Sequence, residues 1–238
     1  MAQPIKLRAR VDCVETHAPD VRSFILVPER PAPRFRPGQF LHLAIDPFDP
    51  SQHWPDSRVF SIASPPDDRQ RLRITVSALG KFTQRMMALK EGDQVWVKLP
   101  YGDFVILSQE NAPVILIAGG TGITPFVSFF AGTSTTAPVR VLYGARRSEL
   151  LIYREVLKQT AARAPNLAWQ AFVEENAGED ERPGRLSVDA ALEAARTTGA
   201  GDAATYYLSG PPAMLAMFRA GLATAGVPPQ WIRTDAWD

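Results

Sequence analysis

Hydrophobic and polar residues alternate with a period of two along the first half of the chain. Several runs between residues 5 and 107 have apolar side chains at every second position, for example Leu72, Ile74 and Val76. Pro/Gly turn signals separate these runs. Many short alternating strands of this kind predict an antiparallel β-barrel or sandwich. One helical segment, at about residues 83–89, interrupts the strands.

The pattern changes after residue 113. Continuous apolar runs, such as 114–118 and 139–143, alternate with helix-like segments, which predicts a doubly wound parallel sheet. The acidic stretch 178–183 is expected to be a loop. We place the domain boundary so that residues 1–108 form the barrel and residues 109–238 the α/β domain. The last helix begins near Pro212, and its predicted apolar face consists of Met214, Met217, Phe218, Leu222 and Ala225.

Composition limits the possible functions. The formal net charge is +1, so nothing indicates attraction to nucleic acid. A single cysteine, Cys13, excludes an internal disulfide and a four-cysteine iron–sulfur cluster within this sequence. His17, His42 and His53 lack metal-ligand spacing, so no metal site is expected. No signal peptide and no apolar run of membrane-spanning length is present, and a cytoplasmic protein is expected.

The sequence Gly-Gly-Thr-Gly-Ile-Thr-Pro at residues 119–125 is the most informative motif. It follows one apolar run and precedes another, as in a buried strand, a glycine turn and the start of a helix. Glycines allow the backbone to approach a phosphate, and a helix N-terminus adds positive potential. Pro125 suits the first helical turn. The alternative is a tight turn that binds no ligand.

Two weaker motifs lie in the first half. In Arg58-Val59-Phe60-Ser61, strand alternation places Arg58 and Phe60 on one face. A surface cation–π pair would explain them equally well. Gly80-Lys81-Phe82-Thr83 precedes the short helix and is a candidate anion site, although Thr83 could be a plain N-cap.

The order of the motifs resembles that of the ferredoxin–NADP reductase superfamily, over nearly the whole chain. The series continues with Tyr-Gly-Asp-Phe at 101–104, Tyr-Gly-Ala-Arg at 143–146 and Leu-Ser-Gly-Pro-Pro-Ala-Met at 208–214. Gly-Lys-Phe-Thr is most similar to the bacterial ferredoxin/flavodoxin reductase branch. The resemblance implies an antiparallel Greek-key barrel that binds FAD, followed by an α/β domain that binds NADH or NADPH.

The resemblance also implies roles for the barrel residues. Arg58 matches the arginine that pairs with the flavin phosphate, and Phe60 the aromatic residue, usually tyrosine, that stacks on the isoalloxazine. Ser61 matches the residue that hydrogen-bonds flavin N5. The segment 80–83 matches the cradle of the FAD pyrophosphate, which favours FAD over FMN. The predicted flavin contacts are Arg58, Phe60, Ser61, Val76, Gly80, Lys81, Phe82 and Thr83.

In the second half, Ser209 matches a small residue near the nicotinamide. Asp235 matches a carboxylate, normally Glu, that tunes hydride transfer. Trp237 matches the terminal aromatic that covers the flavin, although it could also be an ordinary packed aromatic. With Ser61, these three are the predicted catalytic residues. The predicted nicotinamide-cofactor contacts are Gly120, Thr121, Gly122, Thr124, Pro125, Arg146, Gly210, Pro211, Met214 and Trp237.

The sequence leaves the choice between NADH and NADPH nearly open. Where many NADPH-using relatives carry Arg, this chain has Glu174, which would repel a ribose 2′-phosphate and favours NADH. However, Arg185 could compensate for the negative charge of Glu174, or the Glu174 side chain could point to solvent.

The implied function is hydride transfer from nicotinamide to FAD, followed by single-electron transfer to a separate ferredoxin, flavodoxin or oxygenase component. Residues 1–108 carry a net charge of +3, which would favour an acidic partner. Two alternatives are a free-flavin reductase, which uses flavin as a substrate, and an electron-transfer subunit of a larger complex.

Overall fold

The computed structural model describes residues 3–106, 112–132, 136–199 and 203–235. The chain forms two compact units, one consisting of Met1–Val105 with Thr124–Gly132 and the other of Ile106–Ile123 with Thr133–Asp238. The predicted boundary between residues 108 and 109 falls outside the described residues and stays a prediction.

The first unit contains an antiparallel six-stranded sheet in the order β4-β3-β6-β1-β2-β5. A hydrogen bond of 2.8 Å from the Ala63 N–H, just after β4, to the Arg73 carbonyl on β5 links the two edges. The sheet therefore curls into the predicted Greek-key barrel. Its strands are β1 (Ile5–Ala18), β2 (Val21–Pro28), β3 (Phe40–Ala44), β4 (Ser57–Ser61), β5 (Leu72–Ser77) and β6 (Gln94–Tyr101).

Alternating apolar residues fill the barrel, as the period of two predicts. Leu72, Ile74 and Val76 on β5 are all buried in one core cluster. Helix α1 (Lys81–Met86) adds Phe82 and Met86 to this core. The helix begins two residues before its predicted start, because the extended residue Gly80 is its N-cap and Thr83 lies inside the first turn.

The second unit contains a parallel six-stranded sheet in the order β10-β9-β8-β7-β11-β12, as predicted for a doubly wound α/β domain. From β7 the chain adds β8, β9 and β10 in turn on one side of β7, and it then adds β11 and β12 on the other side. The order therefore reverses between β7 and β11, where α/β proteins bind ligands at the carboxyl ends of the strands. The strands are β7 (Val114–Gly119), β8 (Val139–Arg147), β9 (Leu167–Glu175), β10 (Glu181–Pro183), β11 (Thr205–Ser209) and β12 (Ile232–Thr234).

The remaining helices are α2 (Thr124–Gly132), α3 (Arg154–Arg163), α4 (Val188–Arg196) and α5 (Pro212–Thr224). The predicted apolar face of α5 is partly wrong. Leu215 is buried beside the predicted core residues Phe218 and Leu222, whereas Met217 is 45% exposed. Within the described residues, no helix is both long and apolar enough to cross a membrane.

The prediction of an acidic loop at residues 178–183 is also partly wrong. Residues 181–183 form β10, which pairs in parallel with β9. The side chain of Glu181 is fully buried and accepts hydrogen bonds from the Ser148 hydroxyl (2.6 Å), the Gly178 N–H (2.8 Å) and the Arg154 guanidinium. A buried carboxylate requires partners of this kind. Ser148 and Arg154 are distant in sequence from Glu181, so a local pattern does not reveal them.

Candidate functional site

Arg58 and Phe60 lie on the same face of strand β4, as predicted. Across the ladder Phe60 pairs with Leu41 and Arg58 with Leu43, and both leucines belong to the barrel core. Phe60 packs in that core and is 9% exposed. The side chain of Arg58 is about half exposed. The strand therefore carries a buried aromatic ring and a solvent-accessible cation on one face.

The two sequence motifs of the barrel meet at Arg58. Its guanidinium lies over the ring of Phe82, with 5.1 Å from Cζ to the ring centroid. Phe82 is buried in the first turn of α1, so the ring is a fixed platform for the cation. The contact brings Arg-x-Phe-Ser and Gly-Lys-Phe-Thr together as a single site.

The start of α1 is organised by Thr83. Its hydroxyl oxygen accepts hydrogen bonds from the Leu79 and Gly80 N–H groups, each at 3.0 Å, and donates to the Gly80 carbonyl at 3.0 Å. This supports a structural role for the Thr83 side chain, although the N-cap is Gly80 and Thr83 is the third residue of the helix. Lys81 is exposed, and within the described residues it forms no ion pair.

Two further predicted flavin contacts, Ser61 and Val76, differ in their surroundings. Ser61 ends β4 and is 8% exposed; among the described residues its hydroxyl has no hydrogen-bond partner. It is therefore available to a ligand. Val76 is 1% exposed in the barrel core, so the residue presents almost no surface to a cofactor. Both assignments stay predictions.

Two ion pairs stand at the same rim of the barrel. Asp56 accepts a hydrogen bond of 2.5 Å from Arg58, and Asp46 accepts one of 2.6 Å from Arg85. The hydrogen bond from Arg85 holds the pKa of Asp46 below its ordinary value. Asp56 was not among the residues predicted from the sequence. It lies just before β4 and two residues before Arg58, and this proximity was the available signal.

In the second unit, the glycine turn after β7 touches the loop after β11. A Cβ atom on Gly122 would lie 2.3 Å from the Ser209 carbonyl oxygen and 2.6 Å from the Gly210 nitrogen. A Cβ atom on Gly119 would lie 2.6 Å from the Met214 sulfur and 2.9 Å from Pro211 Cδ. These close approaches explain why both positions are glycines. They also bring together, at the switch point, five predicted site residues: Gly122, Ser209, Gly210, Pro211 and Met214.

The glycine turn itself is a short 3-10 helix, Gly120–Ile123, that leads directly into α2. Gly120 has a φ of +55°, a conformation that favours glycine. Thr124 and Pro125 are the first two residues of α2, and Pro125 lies in the first turn as predicted. Trp237 lies outside the described residues.

The predicted catalytic residues Ser209 and Asp235 form a buried pair. The Ser209 hydroxyl donates a hydrogen bond of 3.0 Å to Asp235 Oδ2, and the Asp235 N–H donates to the Leu208 carbonyl at 2.8 Å. Ser209 is 3% and Asp235 5% exposed. Burial raises the pKa of Asp235 to about 7, although the hydrogen bond from Ser209 acts in the opposite direction. The carboxyl group therefore changes charge near neutral pH.

Charged residues at the carboxyl ends of β8 and β9 are paired. The Arg146 Nε donates to Glu175 at 2.7 Å, and the Arg185 Nε donates to Glu174 at 2.8 Å. Arg185 is thus placed where it neutralises Glu174, as the sequence analysis considered. These side chains are at least one-third exposed, and ion pairs of this kind are readily exchanged for a ligand.

Comparison with known proteins gives a family match for part of the chain and relatives for most of its length. Residues 116–220 match the family described as oxidoreductase NAD-binding domain. The chain is 31% identical over 201 residues to a flavohemoprotein of Deinococcus radiodurans, covering 79% of the chain and 48% of the relative. It is 29% identical over 219 residues to the reductase component of propane 2-monooxygenase from Mycolicibacterium smegmatis, covering 88% and 61%. The chain thus spans about half to three-fifths of these relatives.

Solved structures share the fold. The Amycolatopsis cytochrome P450 reductase GcoB has a TM-score of 0.80 at 24% identity, covering 98% of this chain and 69% of the reductase. The ferredoxin reductase in carbazole 1,9a-dioxygenase has a TM-score of 0.79 at 21% identity, covering 100% and 70%. These likenesses show that the chain shares the fold of these reductases, an antiparallel barrel followed by a parallel α/β sheet, and its residues 116–220 match the oxidoreductase NAD-binding domain.

Proposed function

We propose that this chain is an FAD-dependent oxidoreductase that takes hydride from NADH or NADPH and passes electrons to a separate acceptor protein. The contact of Arg58 with the Phe82 ring carries the proposal, because it unites two flavin motifs that are distant in sequence. A guanidinium is well suited to a flavin phosphate, to which it donates parallel charge-assisted hydrogen bonds.

Several barrel residues fit a flavin. Arg58 and Lys81 would hold the phosphates, and the unpartnered hydroxyl of Ser61 would donate a hydrogen bond to flavin N5. Phe60 would contact the ring system, without the hydroxyl that a tyrosine would offer to the ribityl chain. When bound, FAD supplies the redox chemistry, accepting a hydride and releasing electrons singly.

Residues at the β7–β11 switch point fit the nicotinamide cofactor. Gly120 has open space where a side chain would stand, so a phosphate could approach its backbone, whereas Gly122 allows the turn to pack against the Ser209 backbone. Ser209 would lie beside the nicotinamide and hold Asp235 in place through their hydrogen bond. Asp235 holds a proton below about pH 7 and carries a negative charge above it. The chain's part is to bind and orient the reactants.

The acceptor is proposed to be a ferredoxin, a flavodoxin or an oxygenase component. Relatives with the same fold include the reductase component of propane 2-monooxygenase and the ferredoxin reductase in carbazole 1,9a-dioxygenase. The net charge of +3 on residues 1–108 suits an acidic partner. NADH is the proposed donor, because a 2′-phosphate that draws Arg185 away from Glu174 would leave that carboxylate uncompensated and would be repelled by it.

The test is the anaerobic visible spectrum of the purified, dialysed protein before and after addition of NADH. A flavin band that bleaches supports both flavin binding and hydride transfer. A band that bleaches with NADPH alone reverses the proposed coenzyme preference. A band that persists with both donors contradicts the proposed activity.

A free-flavin reductase is the second candidate. The engagement of Arg58 by Asp56 favours it, because a phosphate must then compete for the guanidinium. In that case the dialysed protein is colourless, and it oxidises NADH when FAD or FMN is added.

A further inference from the structure

The proposed phosphate site at the barrel rim has two arginines and two carboxylates. Arg58 donates to Asp56 at 2.5 Å and to the Ser57 carbonyl at 2.8 Å. Arg85 donates to both carboxylate oxygens of Asp46, at 2.6 and 3.2 Å. Asp56 also interacts electrostatically with Arg85. The charges of these four side chains cancel, so their pairing reduces the attraction of Arg58 for an incoming phosphate and leaves the positive charge of Lys81 uncompensated by them.

The pairing at Arg58 has a direct consequence for a ligand. The guanidinium Nη1 that meets Asp56 is already shared with a backbone carbonyl. The face of the same group is covered by the Phe82 ring. Within the described residues, Nε and Nη2 of Arg58 make no hydrogen bond, so a phosphate can bind them, but it then meets the negative charge of Asp56 at close range. A phosphate that also binds Nη1 must displace the Asp56 carboxylate.

The pair is easily broken, however. The side chains of Arg58 and Asp56 are 52% and 61% exposed, and exposed ion pairs contribute little to stability. Asp56 therefore weakens phosphate binding without abolishing it.

Resting on the proposed function, we propose that Asp56 is a specificity-determining residue that lowers the affinity of this chain for phosphorylated flavins by competing for Arg58. The recognised chemistry is the phosphate group of FMN or FAD. Riboflavin, which shares the ring and ribityl chain but has no phosphate, is unaffected by Asp56.

The experiment measures dissociation constants of FAD, FMN and riboflavin by quenching of flavin fluorescence, in the wild-type protein and in Asp56→Asn. We expect Asp56→Asn to bind FAD and FMN about fivefold more tightly, while riboflavin binding stays unchanged. Asp12→Asn is the matched control. It removes the same charge from a carboxylate that is paired with Arg10 and Arg71 on the barrel, and it should leave all three constants unchanged.

Two outcomes overturn the inference. One is unchanged FMN and FAD affinity in Asp56→Asn; the other is an equal gain for riboflavin, which would mean that Asp56 does not act on the phosphate. Arg58→Ala separates this failure from that of the proposed function. If Arg58→Ala weakens FMN binding at least tenfold but Asp56→Asn has no effect, the role of Asp56 alone is wrong. If Arg58→Ala binds FMN as the wild type does, the proposed flavin site is wrong.

Discussion

Replacing Asp235 by Asn should remove a pH dependence from the stability of the protein. Burial raises the pKa of Asp235 from 3.8 to about 7 in the folded chain. One pKa unit corresponds to about 1.36 kcal/mol. Ionising this carboxyl in the folded state rather than in the unfolded state therefore costs on the order of 4 kcal/mol.

The sign follows from the raised pKa. Below about pH 4 the carboxyl is protonated in both states and the cost is absent. Between about pH 4 and 7 the unfolded chain loses the proton first, so the free energy of unfolding falls by about 1.4 kcal/mol per pH unit. Above the folded pKa the full cost remains constant. In the Asp235→Asn variant the side chain carries no charge, so the free energy of unfolding shows no decline from this position.

The assay is urea unfolding of the wild type and Asp235→Asn between pH 4 and 8, followed by tryptophan fluorescence. The difference between the two free energies of unfolding should shift steadily in favour of the variant as pH rises. A difference that stays constant over this range would refute the reasoning. Ser209→Ala is the internal check, because loss of its hydrogen bond should raise the pKa of Asp235 further and move the end of the decline to higher pH.

Three further predictions concern the second unit. Gly122→Ala should weaken NADH binding at least tenfold and destabilise the fold by about 1–3 kcal/mol, because the new Cβ meets the Ser209 backbone; calorimetric titration and thermal unfolding measure both. Glu174→Gln should raise kcat/KM for NADPH relative to NADH about fivefold, by removing a charge that repels the 2′-phosphate. Glu181→Gln should lower the free energy of unfolding by about 2–3 kcal/mol, because it leaves Arg154 without its buried carboxylate.

Each of these has a control in the same unit. Gly178→Ala adds a methyl group that makes only an ordinary contact at 3.6 Å, so it should be neutral; equal losses in both glycine variants would contradict the steric argument. Glu175→Gln, next to Glu174 and paired with Arg146, should change coenzyme preference less. A Glu181→Gln protein as stable as the wild type would show that the buried pair is not stabilising.

Much of the barrel could be predicted because its signal is local. Alternation along β5 gives the inward positions of Leu72, Ile74 and Val76 directly, and the structure confirms them. The same rule placed Arg58 and Phe60 on one face. Periodicity did not reveal how far each would be exposed, since that depends on the position of the barrel rim.

The errors come from features without a local pattern. Helix α5 is apolar around much of its circumference, so periodicity alone did not distinguish the buried Leu215 from the exposed Met217. The pairing of Ser209 with Asp235 joins residues from separate strand ends. Their roles came from the resemblance to a family, and no rule of spacing would have joined them.

The contact of Gly122 with the Ser209 backbone limits how this chain can vary or be redesigned. Two loops whose main chains touch cannot change independently, because a larger residue or an insertion in one requires the other to retreat. We therefore expect a substitution in one of these loops to require a matching substitution in the other. The carboxyl ends of β8 and β9, with their exposed and exchangeable ion pairs, are free of that restriction. Efforts to alter coenzyme choice should therefore begin at those strand ends and leave the glycine turn intact.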